Sequence, residues 1–114
     1  MAQGAYYTTG IGAAFGKIVS GTKTVTTAGT AEQVTTTSTP IPGVWVSADL
    51  GNTEGPIVLG DVNVVAANSS MQGISLIPGN MSIFINVNNL DLLWVDAQGN
   101  GDKLVFAYVQ PETD

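Results

Sequence analysis

An active site in this chain would have to be assembled from nine carboxylates, three lysines and a large supply of hydroxyls, because histidine, cysteine and arginine are absent. Paired carboxylates can act as acid and base on a glycosidic bond, and Asp49, Glu54, Asp61, Asp91, Asp96 and Asp102 are the candidates. Each lies beside a turn signal, where acids are ordinarily solvated. A serine or threonine nucleophile needs a neighbouring base, and neither Lys17 nor Lys23 has a recognisable motif around it. Gly10-Ile-Gly-Ala-Ala-Phe-Gly resembles a phosphate-binding loop, but its spacing is off by one residue and no strand and helix flank it. Asp96, Asn100 and Asp102 place hard oxygens around the turn from Gly99 to Gly101. Their spacing fits neither an EF-hand nor a glycine-rich calcium repeat, and a turn solvated by its own polar residues is the simpler reading. No enzyme, cofactor or metal is expected.

The aromatic residues are more informative. Trp45 and Trp94 could stack on sugar rings, as a carbohydrate-binding domain requires. Trp94 sits among Leu92, Leu93 and Val95, which predicts burial in the core. Trp45 and Phe84 instead fall on the polar parity of alternating strands, and an outward aromatic is either half-covered by a loop or part of a contact surface.

The composition narrows the class further. With 114 residues, 44% apolar and 11% charged, the chain suits one globular domain whose polarity comes from Thr, Ser, Asn, Gln and Gly. A net charge of -6 without arginine opposes a phosphate backbone, so nucleic acid is not expected as a partner. The lack of histidine removes the side chain that switches charge near neutral pH. The lack of cysteine excludes disulfides and fits synthesis in a reducing compartment. The first residues lack the cationic start of a secretory signal, and no apolar run approaches the ~20 residues of a membrane helix.

The positioning elements read as strands. Residues 1–22 form an arm in which Gly4, Gly10, Gly12, Gly16 and Gly21 interrupt Tyr6, Tyr7, Ile11, Phe15, Ile18 and Val19 without a sustained period. That apolar content predicts docking on the body or on a neighbouring chain. Residues 23–114 form the domain. Lys23-Thr-Val-Thr-Thr and the segment from Thr30 to Thr37 look like hairpin partners, and Val44-Trp-Val-Ser-Ala-Asp alternates. Ile57-Val-Leu and Val62-Asn-Val-Val-Ala follow, on either side of a turn at Gly60-Asp61. Gly73-Ile-Ser-Leu-Ile ends at Pro78-Gly79, a pair suited to a type II turn. Met81-Ser-Ile-Phe-Ile-Asn-Val-Asn places Met81, Ile83, Ile85 and Val87 inward. Leu92-Leu-Trp-Val-Asp-Ala and Lys103-Leu-Val-Phe-Ala-Tyr-Val look like a closing hairpin. Eight or nine short strands with no capped helix predict an all-β, jelly-roll-like β-sandwich.

The segments Val25-Thr-Thr-Ala-Gly-Thr-Ala-Glu-Gln-Val, Val46-Ser-Ala-Asp-Leu-Gly-Asn-Thr-Glu-Gly-Pro-Ile-Val-Leu-Gly, Gly73-Ile-Ser-Leu-Ile-Pro-Gly-Asn and Leu92-Leu-Trp-Val-Asp-Ala, in this order, resemble the head decoration, or cement, proteins of tailed bacteriophages. The resemblance spans roughly residues 23–109. It implies a commonly trimeric jelly-roll-like sandwich on the outer surface of the virion's capsid, with the major capsid protein and its own copies as partners. Related folds also serve in tails and fibres, so the alternative is a module that binds a bacterial surface glycan through Trp45, Phe84 or Trp94. The residues expected to make protein contacts are Tyr6, Tyr7, Ile11, Phe15, Ile18, Trp45 and Phe84.

Overall fold

β-Branched runs punctuated by glycine, proline and asparagine become eight strands in the computed structural model, which describes residues 16–53 and 55–111. They are β1 (Gly16–Thr24), β2 (Glu32–Gln33), β3 (Val44–Ala48), β4 (Ile57–Gly60), β5 (Ile74–Leu76), β6 (Ile83–Ile85), β7 (Trp94–Ala97) and β8 (Lys103–Pro111). A 3-10 turn at Leu90–Leu92 is capped by the Asn89 side chain. No helix among the described residues is long and apolar enough to cross a membrane.

The strands form two antiparallel sheets, in the orders β1-β8-β3-β6 and β2-β7-β4-β5. Only β4 and β5 are successive strands paired with each other; every other connection crosses from one sheet to the other. That interleaving of two four-stranded sheets is the jelly roll, and the protein is an all-β sandwich of this kind.

Two expected hairpins are therefore corrected. The segments starting at Lys23 and Thr30 belong to different sheets, as do β7 and β8. Turn residues at these places reverse the chain, but the reversal carries it across the core instead of along one sheet. Residues 62–66 are not a strand either: beyond the single bridge of Val65 with Gln72, they form part of a loop laid over the second sheet. The arm expected over residues 1–22 is described only from Gly16, and from there it is β1, which continues through the 22/23 boundary and pairs with β8 over nine residues.

Burial explains the two kinds of strand sequence. In β3, Val44, Val46 and Ala48 are buried while Trp45 is exposed and Ser47 half-buried, the alternation of a strand with one covered face. In β4, Ile57, Val58 and Leu59 are all buried. Ile57 and Leu59 enter the main core, and Val58 joins a smaller cluster with Val64 and Ala66 on the sheet's other side, against which Ala31 and Trp94 pack. A continuous apolar run is the signature of a strand covered on both faces. Pro78 and Gly79 turn the chain from β5 to β6: Gly79 has φ +90° and the Asn80 N–H donates to the Ile77 carbonyl at 3.0 Å, the arrangement of a type II turn.

One buried acid holds the covering loops in place. Asp96 is fully buried and its carboxylate accepts from the N–H groups of Gly29 (2.8 Å), Ala66 (2.9 Å) and its neighbour Ala97 (2.9 Å). Gln98 adds a bond from its amide to the Ala66 carbonyl at 2.8 Å. The expectation that these acids are solvated at turns is thus overturned for Asp96 and Asp102, both of which are buried. For Asp96 three backbone donors replace the water shell, whereas Asp102 Oδ2 is buried without a hydrogen-bond partner.

Candidate contact surface

The covering loop leaves the molecule asymmetric. The outer face of the second sheet lies beneath residues 61–72, whereas no such cover lies on the outer face of the first sheet among the described residues: Trp45 is 51% exposed, Phe84 48% and Ile18 76%. The register shows how these residues share one face. Ser20 stands opposite Ala107, Ala107 opposite Trp45, and Trp45 opposite Phe84, so one row crosses all four strands. Ile18 and Val109 pair further along the same face, and Thr22, Val105 and Ser47 form the parallel row. Lys103, at the start of β8, is the only charged residue of this parity on the four strands.

The aromatic pair on β3 and the edge strand β6 is closely packed. The rings of Trp45 and Phe84 meet edge to face, with centroids 5.1 Å apart and planes at 61°, a geometry favoured by the ring quadrupoles. Phe84 also lies directly over the backbone of Gly43. A Cβ at that position would fall inside the ring, and φ of +132° disfavours any other residue. Glycine, which leaves the sequence pattern looking merely loose there, is what lets the ring sit flat against the chain.

Residues 108–111 of β8 run beyond its ladder with β3 and pair only with β1, whose other edge meets no further strand among the described residues. All three lysines, Lys17, Lys23 and Lys103, lie on these two strands. Lysine along a free edge discourages indiscriminate strand pairing.

Of the expected contact residues, the structure brings Ile18, Trp45 and Phe84 together on this face. Tyr6, Tyr7, Ile11 and Phe15 lie outside the described residues. Trp94 is half-buried against Val58, Val64 and Ala66, on the covered face of the second sheet. Val105, Ala107 and Val109 extend the patch, and reasoning from sequence passed over them because the strand Lys103-Leu-Val-Phe-Ala-Tyr-Val is apolar at both parities. Of the oxygens around the Gly99–Gly101 turn, Asn100 accepts from the Ala28 N–H at 2.7 Å and Asp96 from three backbone donors, while Asp102 Oδ2 is buried without a hydrogen-bond partner. No cluster of three or more acids able to hold a metal occurs among the described residues.

Known protein families, curated proteins and solved structures contain no match to this chain. The functional reading therefore rests on the surface itself. A sheet face that is partly aromatic and carries a single charge, Lys103 at the start of β8, suits contact with another protein, because burying the rest of it removes apolar area from water and strands no charge.

Proposed function

We propose that the protein is a structural component of a phage virion that decorates and stabilises the outer capsid surface, acting as a homotrimer that binds between major capsid protein subunits. The carrying observation is the outer face of the first sheet, uncovered among the described residues, with Trp45 and Phe84 packed together on β3 and β6 and half exposed. Support also comes from the ordered resemblance of residues 23–109 to decoration proteins and from a jelly roll, an architecture that recurs in capsid proteins. The net charge of -6 suits the outside of a particle, where repulsion keeps proteins dispersed.

The mechanism needs no catalysis. A protein that binds the assembled shell better than its free subunits stabilises the shell by mass action, by about 2.7 kcal/mol per site at 100 times Kd. Covering what remains exposed of Trp45 and Phe84 would remove on the order of 200 Å² of aromatic surface from water, worth about 5 kcal/mol. Repeated over a shell, contacts of that size resist expansion and rupture.

A surface glycan is the alternative partner of the same aromatics. A sugar-stacking ring ordinarily has hydrogen-bonding groups beside it, whereas the direct neighbours of Trp45 across the ladder are Ala107 and Phe84, which favours protein. The test mixes purified protein with decoration-free heads and follows co-sedimentation. Binding by the wild type that is weakened at least about hundredfold in Trp45→Ser/Phe84→Ser supports the reading. Equal binding by both overturns the role of the face, and glycan-array binding without head binding favours the alternative.

A further inference from the structure

The two flanks of the sandwich are finished differently. On one, β1 and β2 are laced together: Glu32 of β2 accepts from the backbone of Thr26 and Thr27 and pairs with Lys23 of β1 at 3.1 Å. On the other, β5 and β6 are the outermost strands of their sheets, and no comparable clasp joins them among the described residues. Ile74 stands opposite buried Leu59 and Ile83 opposite buried Val46, so both point toward the core. They are nevertheless 44% and 37% exposed. Among the described residues, the core is open along this side.

The opening is continuous with an apolar rim. A groove of about 90 Å³ between the sheets is lined by Ala48, Leu76, Ile77, Met81 and Ile83 with flanking Ser and Asn side chains. Met81 is 89% exposed and Leu50 80% exposed, and Leu50 Cδ2 comes within 3.8 Å of where a Cβ on Gly79 would stand. The expectation that Met81 points inward is thus corrected: β6 begins only at Ile83, and Met81 lies before it on the surface.

We propose that this flank, between β5 and β6, is where copies of the chain meet. The occupant is a second copy for two reasons. Leu50, Ile74, Ile77, Met81 and Ile83 together expose on the order of 500 Å² of apolar surface, and with their polar neighbours this approaches the roughly 800 Å² per partner of a standard stable interface. None of the five is charged, so bringing copies together over them buries apolar surface without burying a charge among them. This inference deepens the self-association in the proposed function and is independent of what the first sheet's outer face binds.

Light scattering after size exclusion, across a range of concentrations, tests it with the full chain. The wild type should run as an oligomer, three copies on the reading above. Leu50→Glu/Met81→Glu changes two exposed side chains and should fall to the 11.7 kDa monomer, with its dissociation constant raised roughly hundredfold or more and its circular dichroism unchanged. Trp45→Ser/Phe84→Ser should keep the wild-type mass. A wild type that is monomeric throughout overturns self-association itself. A Leu50→Glu/Met81→Glu variant with wild-type mass overturns the assignment of the flank alone, as does loss of the oligomer in Trp45→Ser/Phe84→Ser. Loss of head binding by the flank variant at unchanged mass makes the flank a particle contact and also overturns the proposal.

Discussion

Removing the Glu32 carboxylate should cost stability in a way that depends on pH with a defined sign. Glu32 is largely buried, its side chain 14% exposed, and burial alone would raise its pKa. The backbone donors of Thr27 and Thr26, the Lys23 ammonium and the Thr26 hydroxyl outweigh that effect and lower it from 4.5 to about 2. A folded pKa below the unfolded one stabilises the fold in full above the unfolded value, and the contribution is lost as pH falls through the folded value. The window is therefore pH 4.5 down to about 2, and the difference corresponds to about 3 kcal/mol. That is a sizeable part of the 5–15 kcal/mol typical of a domain. Lys23 supplies the smaller share, because a partly exposed ion pair is worth at most about 1 kcal/mol. The assay is urea denaturation followed by tryptophan fluorescence for wild type and Glu32→Gln. The variant should lose about 3 kcal/mol at pH 7, and the gap should close toward pH 2. A gap that stays constant from pH 7 to pH 2 would refute the reasoning, since the carboxylate's charge would then play no part.

Two further substitutions probe the covered and uncovered faces. Asp96→Ala strands the N–H groups of Gly29, Ala66 and Ala97 and should cost about 3 kcal/mol or more in chemical denaturation, with Asp96→Asn falling between it and the wild type; fluorescence of Trp94, which packs under the same loop, should shift red. Gly43→Ala must both accept a positive φ and displace the Phe84 ring, so it should lose about 2 kcal/mol, and the near-ultraviolet circular dichroism of the Trp45–Phe84 pair should weaken.

The alternation in β3 was legible because one face of that strand meets water, and the same alternation marked Trp45 as an outward aromatic. Phe84 was legible by the same parity, although β6 is shorter than its apolar period suggests. The sheet pairing was not legible. Gly60-Asp61 and Gln98-Gly-Asn-Gly-Asp are turn signals in either case, and a turn that crosses between sheets uses the same residues as one that closes a hairpin. The run Val62-Asn-Val-Val was mistaken for a strand because a loop that packs on a sheet needs apolar contacts too, which Val64 provides against Val58. Burial of Asp96 was hidden for a different reason. Its partners are backbone N–H groups distant in sequence, at Gly29 and Ala66, and backbone donors leave no mark on residue type. The open flank was equally hidden, because Ile74 and Ile83 have the parity of core residues and only the spacing of the two sheet edges exposes them.

Decoration through the first sheet requires Trp45 to face the particle. In Trp94→Phe the remaining tryptophan reports on that position alone, and its quenching by acrylamide can be measured free in solution and bound to decoration-free heads. Free protein should be quenched readily, consistent with a ring 51% exposed, and protein bound to heads should be shielded severalfold. Binding to heads with Trp45 quenched as freely as before would contradict the account.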